Sequence, residues 1–251
     1  MNITCRFLPS QLEATDTVPP LGNDRQAAVV IDILRATTTM TTALASGAQQ
    51  VIPCLEIEDA FARRLEEPGV ILGGERGGVP IDGFDFGNSP TDYTTETVGR
   101  KTVVFTSTNG TRALHAISTL NTIILGAFIN LSAVVRRLSN CDQILLLCAG
   151  TNGAVTREDV LFAGAVTSRL AELNPSTSLN DEANMARDTW RTLESSDGDT
   201  AVNLQTELAA TLGGRNLIKL GYQSDFLPVS EIDSVDIVPA WNPTTGVIQV
   251  P

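Results

Sequence analysis

The sequence predicts a layered α/β/α fold around a largely parallel or mixed central sheet. Three observations lead there. Short continuous apolar runs recur, as in Val29-Val30-Ile31, Val103-Val104-Phe105 and Ile144-Leu145-Leu146-Leu147-Cys148, and such runs suit strands that helices cover on both faces. Each run passes into a turn of small or hydroxyl-bearing residues, and each turn into a helical pattern. Turns of this kind gather on one edge of a parallel sheet, where open α/β folds bind ligands.

With 251 residues the chain can bury a full core, and it reads as a single α/β domain over residues 1–251, with room for two sub-lobes meeting near Asn140. The formal net charge of −12 argues against nucleic acid and anionic membrane surfaces as partners. An anionic substrate then needs concentrated local positive charge, from arginines or a bound cation. Cys5, Cys54, Cys141 and Cys148 form no CxxC pair and no Cys/His metal spacing, which suits reduced thiols. Met1 to Ser10 has no basic segment leading into an apolar one, and no apolar run approaches a membrane span. The expectation is a soluble cytoplasmic protein, with a homo-oligomer left open.

Taken in order, Ile3 to Val18 reads as a first strand with a polar lead-in, ended by Pro19-Pro20. Val29 to Leu44 is a strand–turn–helix unit that stops at Ser46-Gly47. Gln50 to Cys54 reads as a short strand, Glu58 to Glu66 as a helix ended by Pro68-Gly69, and Val70 to Leu72 as another short apolar run. Residues Gly73 to Pro90 have neither helical nor strand periodicity. They read as a long ordered loop over a site, offering Glu75, Arg76, Asp82 and Asp85. The strand–turn–helix layout returns at Thr102 to Ile117 and at Ile144 to Ala163, with Thr-Asn-Gly at both turns. Ile123 to Ala127 reads as a strand and Leu131 to Leu138 as a helix. Asp181 to Leu193 is helical within the polar stretch Pro175 to Thr200. A turn at Gly213-Gly214, a helix from Leu217 to Tyr222 and a strand region at Trp241 close the chain.

Asp32 and Arg35 interrupt the first unit where a strand end meets a ligand crevice, and ionised groups are rarely placed there without a partner or a function. Thr37, Thr38 and Thr39 follow at the helix start, where free N–H groups and the macrodipole favour an anion. Other chemistries fail on spacing. His115, the only histidine, has no flanking motif, and a Ser-His-Asp triad could use it only if the fold aimed it at a hydroxyl. The residues six after Cys148 and Cys141 are Ala154 and Leu147, not the arginine of a thiol phosphatase loop. No Gly-Lys-Ser/Thr occurs, and Leu34 stands where a haloacid dehalogenase-type phosphatase needs its second aspartate. Carboxylate chemistry with a hard divalent cation remains.

Five blocks in register carry a resemblance: Ile31 to Thr39, Gly73 to Gly78, Gly83 to Pro90, Thr108 to Arg112 and Cys148 to Gly153. Together with the tail Leu220 to Asp225 and Val238-Pro239, they resemble the 2-phosphosulfolactate phosphatase family, the ComB proteins. The resemblance implies a Mg²⁺-dependent hydrolase that converts 2-phospho-3-sulfolactate to 3-sulfolactate and phosphate, a reaction of coenzyme M biosynthesis in methanogens. On that reading Asp32, Glu75 and Asp85 hold the metal. Asp32, Arg35, Glu75 and Arg76 form the catalytic set, with Asp32 either attacking phosphorus or orienting water and Glu75 or Glu158 as acid or base. The small anionic phosphorylated substrate is met by Thr37, Thr38, Asn88, Ser89, Asn109, Gly110, Thr111, Arg112 and Asn152. A phosphatase of another small phosphorylated acid and a non-catalytic sensor of an anionic metabolite are the alternatives.

Overall fold

The computed structural model describes residues 1–17, 25–196 and 198–251. Its first strand, β1 (Asn2–Arg6), is far shorter than the stretch Ile3 to Val18 predicts. The chain leaves β1 into 3₁₀ turns over Pro9–Gln11 and Ala14–Thr17. The Arg6 guanidinium holds this return, 2.8 Å from Asp16 and 3.2 Å from Glu182. Val18 and the Pro19-Pro20 stop lie outside the described residues.

The leading unit is present as β2 (Gln26–Ile31) and α1 (Ala36–Ala45), followed by β3 (Gln50–Pro53) and α2 (Ile57–Glu66). β4 (Ile71–Arg76) corrects the expectation of a loop from Gly73 onward. The strand runs through the glycines and turns at Gly77-Gly78 into the two-residue β5 (Val79–Pro80). A Cβ on Gly73 would lie 2.1 Å from the Tyr93 hydroxyl, and one on Gly74 1.9 Å from the Thr106 carbonyl oxygen. Glycine here lets a strand pass flush against its neighbours, a use that periodicity does not distinguish from a loop.

The second and third units follow with α3 (Thr95–Val98) ahead of them: β6 (Thr102–Thr106), α4 (Gly110–Ala116), β7 (Ile123–Gly126), α5 (Leu131–Leu138), β8 (Gln143–Cys148) and α6 (Arg157–Leu173). β9 (Ser178–Leu179), α7 (Asp181–Glu194) and α8 (Thr200–Ala210) come next. The predicted turn at Gly213-Gly214 is instead the first turn of α9 (Leu212–Lys219), capped by the Thr211 hydroxyl accepting from the Gly214 N–H at 3.0 Å. A side chain at Gly213 would strike Glu158, and one at Gly214 the Leu208 carbonyl. The chain ends with α10 (Phe226–Ser230) and the hairpin β10 (Ala240–Asn242) to β11 (Val247–Gln249).

Among the described residues eleven strands form one mixed sheet in the order β5-β4-β6-β3-β11-β10-β7-β2-β8-β1-β9. Alternate residues of its apolar strands serve different cores. Val29, Ile31, Ile144 and Leu146 face one cluster with Phe162 and Trp190, whereas Ala28, Val30, Leu145 and Leu147 face another with Met40 and Leu114. Two buried faces explain the absence of polar alternation in these runs. The hairpin β10–β11 is antiparallel to β7 on one side and to β3 on the other. Strands β3, β6 and β4 therefore run opposite to β7, β2, β8 and β1. Asn140 falls between α5 and β8, within one of these halves.

All four cysteines are free and buried. Among the described residues no helix is long and apolar enough to cross a membrane.

Candidate active site

The chain leaves β2 at Ile31 and folds back on itself at Asp32. The Asp32 carbonyl accepts from the Thr37 N–H at 3.0 Å, and its Oδ1 from the Ala36 N–H at 3.2 Å. The first donors of α1 are thus satisfied by Asp32 itself. Thr37 and Thr38 lie beneath this turn, their hydroxyls donating to the carbonyls of Gly126 (2.8 Å) and Ile33 (2.9 Å). They form the foundation of the site and do not reach its cavity, because helix hydroxyls turn readily to nearby backbone acceptors. Asp32 Oδ2 accepts no hydrogen bond among the described residues. A Cβ on Gly110 would stand 2.7 Å from it, so glycine there lets α4 approach. Burial pushes the Asp32 carboxyl up to about 7, with Glu75 and Glu158 adding to the rise and the Ala36 N–H and Arg35 opposing it.

From the other half of the sheet comes Glu75, at the end of β4. Both its oxygens are occupied: Oε2 accepts from the Gly78 N–H (2.5 Å) and the Thr108 hydroxyl (3.1 Å), and Oε1 from the Thr108 N–H (2.7 Å). Glu75 thereby ties the β4–β5 hairpin to the turn after β6. In that turn Thr111 closes on Ser107, its hydroxyl donating to the Ser107 carbonyl at 2.8 Å. The third turn is bound to the first by Asp159, which accepts from the Ile33 N–H (2.9 Å) and the Gly150 N–H (3.0 Å). Burial and the neighbouring Asp32 and Glu158 carboxylates push Asp159 well up. Convergence of the three turns was expected from a single parallel edge. The structure achieves it although β2 and β6 run in opposite directions, across a sheet whose strands twist by roughly 20–25° per step.

Between these turns lies a cavity of about 110 Å³. Asp32, Leu34 and Arg35 line it from the first turn, Glu75, Gly77, Gly78 and Asn88 from the glycine-rich segment, and Thr108, Asn109, Thr151 and Asn152 from the other two turns. A further wall comes from α9 and its end: Gly213, Asn216, Leu217 and Leu220. Of the residues expected at the site, Asp32, Arg35, Glu75, Asn88, Asn109 and Asn152 meet here. The Asn88 Oδ1 atom is buried without a hydrogen-bond partner among the described residues.

Several other expected residues are placed elsewhere. Arg76 is spent on the carbonyls of Leu55 (2.6 Å) and Glu75 (3.0 Å) and the Thr106 hydroxyl (2.9 Å). Asp85 accepts from the Leu72 N–H at 2.8 Å and pairs with Arg64 of α2, because the segment after β5 returns along β4 and faces that helix. Gly110 and Thr111 lie under the site, and Arg112 is exposed on α4. Ser89 stands behind Arg35 and donates to Asp225 at 2.6 Å.

Gly213, Asn216, Leu217 and Leu220 in the wall, with Tyr222 and Asp225 behind it, are site residues that the sequence reading does not name. Their only signal in the sequence is the tail Leu220 to Asp225, which carried resemblance but no chemistry. Asp225 forms a buried pair with Arg35, Oδ2 to Nη1 at 2.7 Å, and the Arg35 guanidinium stacks 4.2 Å from the centre of the Tyr222 ring. Glu158 sits against the start of α9, where Thr211 and the Gly213 N–H favour its charge. Burial outweighs them and pushes its pKa up, and Oε2 has no partner among the described residues.

Fold and site together define an α/β enzyme with an acidic cavity at converging strand ends. The chain belongs to the 2-phosphosulpholactate phosphatase family, whose sequence profile matches residues 14–243, and so to the phosphoric monoester hydrolases. Among its relatives, a protein of Thermotoga petrophila described as a probable 2-phosphosulfolactate phosphatase is 44% identical over 80% of this chain and 82% of its own. Similarly described proteins of Thermotoga maritima and Pseudothermotoga lettingae are 40% and 36% identical, over 86% and 93% of this chain and 88% and 97% of theirs.

Proposed function

We propose that this chain hydrolyses 2-phospho-3-sulfolactate to 3-sulfolactate and phosphate, and that it requires Mg²⁺ to do so. The family and its relatives support the substrate. The cation rests on charge: among the described residues Arg35 is the one guanidinium lining the cavity, Asp225 already matches it, and Asp32 and Glu75 are both acidic. A substrate bearing phosphate, sulfonate and carboxylate is repelled by such a cavity unless a cation joins it.

The donors present fit a sparingly held magnesium. Among the described residues no three or more His, Cys, Asp or Glu side chains form a metal-holding group. Mg²⁺ is commonly bound by one or two carboxylates together with water and substrate phosphate. Asp32 through Oδ2 and Asn88 through its unpartnered Oδ1 would hold it, both being hard oxygens of residues that line the same cavity. Held there, Mg²⁺ would supply charge neutralisation and polarisation of the phosphoryl oxygens.

The chain's own residues do the rest by positioning and electrostatics. Two of the five Arg35 N–H groups are given to Asp225 and the Gly78 carbonyl (3.3 Å), leaving donors for phosphoryl oxygens, which the guanidinium fork suits. Asn109 and Asn152 face the cavity locked together, the Asn152 N–H donating to Asn109 Oδ1 at 3.1 Å. Glu75 keeps Thr108 and Gly78 in place, and Leu34, Leu217 and Leu220 reduce access to water.

The observation that carries this reading is Asp32, a buried carboxylate with one oxygen uncommitted beside Arg35. Phosphate release from 2-phosphosulfolactate, 2-phospholactate and other small phosphorylated acids tests it, with Mg²⁺ and after exhaustive chelation. Strong preference for the sulfonated substrate with loss on chelation is expected. Undiminished release without divalent cation removes the metal, and a better unsulfonated substrate removes the assignment.

A further inference from the structure

We infer that Asp225 is a positioning residue for Arg35, holding its guanidinium in the orientation that meets the phosphoryl group. Asp225 is fully buried, and Arg35 is 2% exposed although it lines the cavity. Two separate segments grip the guanidinium: from the tail Asp225 takes Nη1 and Tyr222 covers a face, and from the β4–β5 turn the Gly78 carbonyl takes Nη2. Asp225 is itself fixed by Ser89, whose hydroxyl donates to Oδ1 at 2.6 Å and meets Thr91 Oγ1 at 2.8 Å. The carboxylate is thus oriented before it orients the arginine.

A buried ion pair is a poor device for stability alone, since apolar residues of the same volume often do as well. One member of this pair, Arg35, lines the cavity, and the other stands behind it in the protein interior. An arginine on a long flexible stem loses rotamer entropy each time it engages an oxyanion, and the grip from the tail of the chain removes that cost beforehand. The arrangement also accounts for the tail from Leu220 to Asp225, to which the turns and the glycine-rich segment assign nothing.

This inference rests on the reading that Arg35 contacts the phosphoryl group, and a double-mutant cycle separates the two. Steady-state phosphate release is measured for the wild type, Arg35→Lys, Asp225→Asn and the double variant, each normalised to the folded fraction from circular dichroism. Asp225→Asn keeps the shape and is expected to lower kcat about a hundredfold, the scale of a misplaced catalytic group, with KM little changed. Because the two residues act as a unit, Asp225→Asn should cost little more in the Arg35→Lys background. Should Asp225→Asn not fold, Asp225→Glu keeps the charge on a longer arm, and an intermediate kcat at unchanged KM is expected.

Additive losses, or either Asp225 variant turning over like the wild type, would overturn the positioning role while leaving Arg35 in place. Full activity of Arg35→Lys would overturn the reading of Arg35, and the inference with it.

Discussion

Two buried carboxylates line the same cavity from opposite halves of the sheet, Asp32 from the turn after β2 and Glu75 from the end of β4. They are alike in burial, 7% and 6% exposed, and differ in what they hold. Glu75 accepts three hydrogen bonds and ties a hairpin to a neighbouring turn. Asp32 spends one oxygen on the start of α1, has no partner for the other among the described residues, and is pushed up to about 7. Burial alone therefore does not distinguish the two. Uncommitted lone pairs do, and a carboxylate saturated with hydrogen bonds acts as a brace between the segments that donate them.

The sharpest test is to neutralise each in turn. Asp32→Asn should lower turnover about a hundred- to a thousandfold, the scale of removing a principal electrostatic contact. It should also raise the melting temperature, since a charge that is crowded in a buried site is removed. An Asp32→Asn enzyme whose residual activity merely follows its folded fraction would make Asp32 a scaffold group. Glu75→Gln should act in the opposite sense on stability. An amide presents a donor where Thr108 or Gly78 also donates, and the loss is expected to be about 1–3 kcal/mol in chemical denaturation. Its turnover should fall less than that of Asp32→Asn; the reverse order would break the distinction between the two.

A smaller effect lies in the pH dependence of the chelated protein. The folded-state pKa of Asp32 stands above its unfolded value near 4. Its contribution is then complete below the unfolded pKa and is lost as pH rises through the folded one. Thermal melts of the metal-free wild type should decline from pH 5 towards about 7 and then level out, and Asp32→Asn should remove that part of the slope. An unchanged slope would place the titration elsewhere. The smallest effect should come from Arg112→Ala. The exposed Arg112 lies outside the cavity, so stability within about 0.5 kcal/mol of wild type and unchanged kinetics on both sulfonated and unsulfonated substrates are expected. A raised KM for the sulfonated substrate alone would restore Arg112 to the binding site.

The three strand–turn–helix units were legible because strand and helix periods are local properties, and Leu131–Leu138 forms a helix over the same residues its spacing predicts. Asp32, Arg35, Glu75, Asn88, Asn109 and Asn152 could be nominated because polar residues at strand ends are conspicuous against apolar runs. Thr37 and Thr38 looked equivalent to them, yet their hydroxyls turn inward to backbone carbonyls. Glycine misled twice in the same way. At Gly73-Gly74 and Gly213-Gly214 it signals close packing against Tyr93, Thr106, Glu158 and Leu208, and composition does not separate that from a turn.

Local pattern was thus enough for the class of fold, the existence of the converging turns and the carboxylate character of the site. It could not decide which arginine serves the cavity. Arg35, Arg76 and Arg112 carry the same charge and stand close to strand ends in the sequence, but one is clamped by Asp225, another is consumed by Leu55 and Thr106, and the third is exposed. Those fates depend on partners as much as 190 positions away. A side chain's chemistry is written in its own position, whereas its hydrogen-bond partners, and so its freedom to react, arise only when distant segments pack together.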